Sequence, residues 1–194
     1  MATMTALEVQ NFPEGVVECW NGDNVMPPMA NDEHQGLAFG FAAPLFSAVV
    51  EPKLGLARLG VNVSDGTTPW WENYRCPDVV VYLSSNPAKN QQTHWVGGPD
   101  FLVEIMSDDE DPLAKLDFYA SIGTREVLIV ERDPWALELF RLTDGTLAST
   151  GRCEVDSDRM LSSESLGLTF RLDSGSARLL IEVGYPANAL KWLI

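Results

Sequence analysis

Two short apolar runs constrain this chain more than anything else in it. Val79-Val80-Val81-Tyr82-Leu83 follows Arg75-Cys76-Pro77-Asp78, and Phe101-Leu102-Val103-Glu104-Ile105-Met106-Ser107 follows Pro99-Asp100. Both are rich in β-branched residues and bounded by Pro and Gly, which is the signature of buried strands. Each also carries a carboxylate, Asp78 at the start of the first and Glu104 inside the second. A buried strand carries no such group without a partner. For Asp78 the plain alternative is a strand-end carboxylate capping a loop. For Glu104 it is the solvent face of an edge strand.

The segment after the second run reads as a short helix. Asp111 can cap it, Pro112 suits its first position, and Gly123 ends it. Leu113, Leu116 and Ala120 give it one apolar face, while Lys115 and Tyr119, four residues apart, share another. A lysine near a helix N-terminus opposes the helix dipole, so a nearby group should hold it. That group is either one of Asp108, Asp109, Glu110 and Asp111, as a surface pair, or the strand carboxylates. Two carboxylates and a lysine gathered by adjacent strands and a helix are the parts of a metal-dependent phosphodiesterase site. Oxygen ligands of this kind suit Mg or Mn.

The rest of the chain frames this stretch. Residues 1–13 read as an irregular lead and 14–194 as a single domain. Val16 to Met26 is a small hairpin turned at Asn21-Gly22. Its Glu18 is either a third acidic group near the site or an outward edge-strand charge. A helix begins near Asp32 with Asn31 or Asp32 as N-cap, apolar nearly all round from Leu37 to Phe46, with Gly36 and Gly40 for close packing. Pro44 should kink or split it. His34, in its first turn, reads more simply as a capping or surface residue than as a site residue. Gly55 to Val63 reads as one strand, Ser64 to Tyr74 as a loop anchored by Trp70-Trp71, and Ser84 to Gly98 as a polar loop. Further strands follow at Val127–Glu131, in a hairpin around Asp144-Gly145, and at Leu166–Leu172. From Ala177 the chain reads as a last strand or short helix.

Composition narrows the function classes. The three cysteines, Cys19, Cys76 and Cys153, are isolated and odd in number, which fits a reducing cytoplasm and suggests neither zinc nor a disulfide framework. The N-terminus shows no export signal. There is no phosphate-binding Gly-Lys loop, no Gly-x-Ser-x-Gly elbow, and only two histidines. Against a nucleic-acid substrate stands a net charge of −15, from 28 acidic and 13 basic residues, a field that repels polyanions.

Pro77-Asp78, Glu104-Ile105-Met106-Ser107 and Asp111-Pro112-Leu113-Ala114-Lys115, followed by Tyr119 and Gly123, together resemble the Uma-two restriction-endonuclease family of the PD-(D/E)XK nuclease superfamily over roughly residues 14 to 142. The resemblance implies an α/β, restriction-endonuclease-like core: a central mixed β-sheet flanked by helices, with an N-terminal hairpin and a C-terminal β extension. It implies that Asp78, Glu104 and the carbonyl of Ile105 bind Mg or Mn, with Lys115 as the catalytic lysine. Glu18, His34 and Tyr119 become accessory candidates. One departure matters. The commonest superfamily pattern has its lysine two residues after the glutamate, where this chain has Met106, and Lys115 matches the family's helix position instead.

The resulting expectation is a metal-dependent endonuclease acting on DNA, for which a homodimer suits cleavage of both strands. Two alternatives stand beside it. One is a nuclease-fold protein without activity that binds or regulates a partner. The other is a structural module dimerising through the Trp-rich loop and the C-terminal strands.

Overall fold

In a computed structural model the described residues are 18–26, 30–67, 69–107, 111, 113–173, 180–185 and 191–194. The expected lead over 1–13, the strand residues Val16 and Val17, the acids Asp108 to Glu110, and Pro112 lie outside them.

Strands β1 (Glu18–Trp20) and β2 (Asp23–Val25) form the expected hairpin. Asn21 and Gly22 turn it with φ of 52° and 92°, the left-handed backbone a type I′ turn requires. Helix α1 (Asp32–Leu45) starts where Asn31 Oδ1 accepts the His34 N–H at 2.9 Å. Pro44 does not split it: the helix passes directly into a π-helical turn, Phe46–Val50. Then come β3 (Gly55–Leu59), β4 (Val63–Ser64), a 3₁₀ turn (Trp70–Glu72), β5 (Tyr74–Arg75) and β6 (Val79–Leu83). Next are β7 (Lys89–Asn90), β8 (Trp95–Val96), β9 (Phe101–Ile105), α2 (Leu116–Ser121) and β10 (Glu126–Arg132). The chain closes with β11 (Trp135–Thr143), β12 (Thr146–Glu154), β13 (Leu161–Ser162), β14 (Thr169–Asp173), β15 (Leu180–Gly184) and β16 (Lys191–Leu193).

The central sheet has the order β12-β11-β10-β9-β6-β3, with β9 and β10 parallel and its other pairs antiparallel. It is the mixed sheet the sequence predicts. Alternation along its strands builds two cores. Val79, Val81, Phe101, Val103 and Ile105 face α1 and the C-terminal sheet β13-β14-β15-β16, whose Phe170 ring stacks on Phe101 at 5.5 Å. Val80, Tyr82, Leu102, Val127 and Ile129 face α2, burying Phe118 and Tyr119. Each fully buried aliphatic or aromatic side chain here contributes about 1.5–3 kcal/mol.

Several boundaries differ from expectation. The single strand over Gly55–Val63 breaks at Gly60 (φ 54°), so that β3 joins the central sheet and β4 joins a second sheet, β2-β1-β5-β4-β8-β7. The polar Ser84–Gly98 segment contributes β7 and β8 to that second sheet. Trp70 stacks on His94 at 4.3 Å, which ties its loop to the β7–β8 segment. Helix α1 is buried on one side only: Phe39 is 74 % exposed, a side chain at Gly36 would meet none of the described residues, and Gly40 makes a close approach to Ile194. Helix α2 begins at Leu116, three residues later than its apolar pattern suggests, which leaves Leu113 exposed. Among the described residues no helix is long and apolar enough to cross a membrane.

Candidate active site

The antiparallel ladder of β6 and β9 pairs Val79 with Val103. One step further, it sets Asp78 beside Glu104 at the end of the sheet. Asp78 Oδ2 accepts the amide of Ile105 at 2.7 Å, and Oδ1 meets His34 Nε2 at 2.7 Å. Ile105 thus touches Asp78 through its N–H, a contact additional to the carbonyl role expected of it. His34 is neither a cap nor a surface residue: its backbone is what Asn31 caps, and its ring is buried against Asp78. Its Nδ1 is buried with no hydrogen-bond partner among the described residues.

Glu104 alternates onto the α2 face of β9 and is 8 % exposed. The hydroxyl of Tyr119 donates to its Oε1, and Lys115 Nζ approaches the same oxygen at 3.5 Å. Lys115 is the residue immediately before α2, so the helical spacing that puts it beside Tyr119 aims both inward. Its ammonium lies still closer to Glu18 Oε1, at 3.0 Å. Glu18 is not an outward edge charge, because β1 lies between β2 and β5 and the residue is 1 % exposed. Trp20 Nε1 (2.8 Å) and the Cys76 amide (3.0 Å) donate to it as well.

The structure therefore brings together Glu18, Asp78, Glu104, Lys115 and Tyr119, with His34 behind Asp78. Burial raises the Glu104 carboxyl most, Lys115 offsets part of that, and the neighbouring charges of Asp78 and Glu18 raise it again, leaving it at about 8. Burial also raises the Tyr119 hydroxyl, with Glu104 adding to the effect, so it remains a donor. The Cys76 thiol is pushed up to about 12 by burial and by Glu18, Glu104 and Asp78. Sequence reasoning missed Arg75, Trp20 and the Cys76 amide. Arg75 next to Cys76-Pro77-Asp78 gives no periodic signal, and the inward turn of Trp20 shows only in its alternation with Glu18.

The donor chemistry fits a hard divalent cation. The carboxylates offer only oxygen, and they exceed the positive charge that Lys115 supplies. Among the described residues no group of three or more His, Cys, Asp and Glu has metal-holding geometry.

A central mixed sheet with a helix packed on each face defines an α/β, restriction-endonuclease-like fold. The structure is similar to the crystal structure of a putative nuclease belonging to DUF820 from Anabaena variabilis: TM-score 0.65, 18 % identity, covering 84 % of this chain and 91 % of that one. No curated protein matches the chain. The Uma2 family model, described as "Putative restriction endonuclease", matches residues 3–174, and the chain belongs to that family.

Proposed function

We propose that the protein is a divalent-metal-dependent endonuclease that hydrolyses DNA phosphodiester bonds, with Asp78, Glu104 and Lys115 at the reacting centre. One observation carries this reading: a buried lysine lies 3.5 Å from Glu104 and 3.0 Å from Glu18, and Asp78, just before the neighbouring strand, accepts the amide of Ile105 next to Glu104. Asp78, Glu104 and the Ile105 carbonyl would hold the ion. When bound, it supplies charge that polarises the phosphate and makes a water acidic. The chain's own groups prepare that chemistry. His34 and the Ile105 amide fix the Asp78 carboxylate, and Tyr119 fixes Glu104. Lys115 orients the attacking water or offsets charge on the phosphate.

The test is Mg and Mn calorimetry on wild type and Glu104→Ala, with plasmid nicking scored in the same buffers at low salt. Metal binding lost in the variant, and nicking that needs both Glu104 and Lys115, is the expected result. Metal binding without nicking of any nucleic acid would leave a binding or regulatory protein. No binding at millimolar metal would end the metal reading.

A further inference from the structure

Arg75, on β5, is 4 % exposed, and a buried guanidinium has five N–H donors to satisfy. One of its terminal nitrogens donates to the carbonyls of Cys19 at 2.9 Å and Tyr74 at 3.0 Å, and to Asn73 Oδ1 at 3.3 Å. Asn73 Oδ1 also accepts the Asn21 amide at the hairpin turn, at 3.2 Å. The guanidinium carbon lies 4.4 Å from the centre of the Trp20 ring and 4.2 Å from that of Phe118. Such stacking of a desolvated cation on aromatic rings is attractive and directional.

Those two rings come from the two elements that supply the innermost charge pair of the candidate site. Trp20 stands two residues after Glu18 on β1, on the same strand face, and its indole N–H is bound to the Glu18 carboxylate. Phe118 is in α2, three residues after Lys115. The hairpin and the helix thus meet through Arg75 on one side and through the 3.0 Å contact of Lys115 with Glu18 on the other.

We propose that Arg75 is a positioning residue: by packing on Trp20 and Phe118 together, it sets the hairpin against α2 and fixes the Glu18–Lys115 contact. It touches neither Glu104 nor Asp78 among the contacts described, and its part in the reaction rests on reading the site as a nuclease centre. Lysine does not replace it. An ammonium carries the charge but has no flat face to lie on two rings.

The Trp20 indole N–H reports the contact directly, because it is the donor to Glu18. Its hydrogen exchange is measurable in the full chain by nitrogen-resolved NMR, assigned by Trp20→Phe, against the other five of the six tryptophans. In Arg75→Lys and Arg75→Ala the Trp20 proton is expected to exchange about tenfold faster or more, with the indoles of Trp95 and Trp135 unchanged. Phe118→Leu, on the opposite element, should produce the same selective change. In the metal-loaded protein kcat for nicking should fall about 10- to 100-fold at unchanged KM. The lysine variant, which keeps the charge and stem, serves where alanine does not fold. Unchanged Trp20 exchange in the Arg75 variants, full restoration by lysine, or uniform loosening of all the indoles would each overturn the assignment. A wild type that nicks no nucleic acid defeats the nuclease reading instead, and the exchange measurement still decides whether Arg75 holds the hairpin to the helix.

Discussion

Lys115 shows how much of this site is settled by single side chains. Its side chain is 9 % exposed, and that of Glu18, its nearer carboxylate, 1 %. Removing one member of a buried pair strands the other charge and costs about 3–5 kcal/mol. Lys115→Met should therefore lower the unfolding free energy in urea at neutral pH by about 3 kcal/mol. Adding Glu18→Gln should return much of that loss, since it removes the stranded charge. A Lys115→Met protein as stable as wild type would mean that the pair is not buried together in solution. Asp78, Glu104 and Lys115 are legible in the sequence because each breaks a local rule: carboxylates in or beside β-branched runs, and a cation at a helix start. Glu18 and His34 are only half legible. A three-residue strand does not say whether it is an edge, and a first-turn histidine does not say what it faces. Arg75 is illegible, because its partners are rings 55 residues before it and 43 after it in the chain.

Elements follow the same division. β6, β9, β10 and the β11–β12 hairpin are readable because long apolar runs and an Asp-Gly turn specify them, whereas β4, β7 and β8 are two-residue strands that exist only because neighbours pair with them. Helix α2 starts late: the chain first closes tighter turns, Ala114 N–H to Asp111 O at 3.2 Å and Leu116 N–H to Leu113 O at 3.1 Å, before the bond from Tyr119 N–H to Lys115 O at 3.0 Å. The C-terminal sheet carries its own charge cluster. Glu182 on β15 receives Arg171 of β14 at 2.9 and 3.0 Å and Lys191 of β16 at 3.0 Å. The bonds from Arg171 hold its carboxyl below the usual glutamate range, against burial, with Lys191 helping. A carboxyl depressed in the folded state binds fewer protons there than in the unfolded chain. Its stabilisation is present above the unfolded value of about 4.3 and is lost as pH falls through the folded one. The partially exposed partners screen the effect, so it is modest. Glu182→Gln should flatten the fall of the urea midpoint between about pH 5 and pH 3, leaving stability at higher pH lower than in wild type. An acid limb identical in the two proteins would remove Glu182 from the account.

At the scale of the whole molecule, the net charge of −15 conflicts with a polyanionic substrate, and the ion pairs sharpen the conflict. Most cations are already committed within the chain. Arg152 serves Glu131, Glu138 and Glu154, Arg141 serves Glu126 and Glu164, Arg125 serves Asp100, and Arg132 serves Glu33. Arg171 and Lys191 are taken by Glu182, Lys115 by the site, and Arg75 by backbone and rings. Among the described residues Lys53, Arg58, Lys89 and Arg159 remain outside such pairs. Each phosphate neutralised by a protein cation releases counterions and adds about −0.9 to the slope of log affinity against log salt. These four described cations would contribute a slope of about −4, short of proteins that make 6–10 phosphate contacts. DNA binding followed by fluorescence anisotropy at fixed Mg, over about 20 to 200 mM monovalent salt, should therefore be weak and shallow in its salt dependence. Affinity would then come chiefly from the few groups at the end of the sheet, where the proposed divalent ion would reverse the local sign of the field. A slope steeper than about −6 would require a basic surface beyond these four residues, supplied by other parts of the chain or by a second copy, and would overturn this picture of a nuclease that holds its substrate mainly at the reacting phosphate.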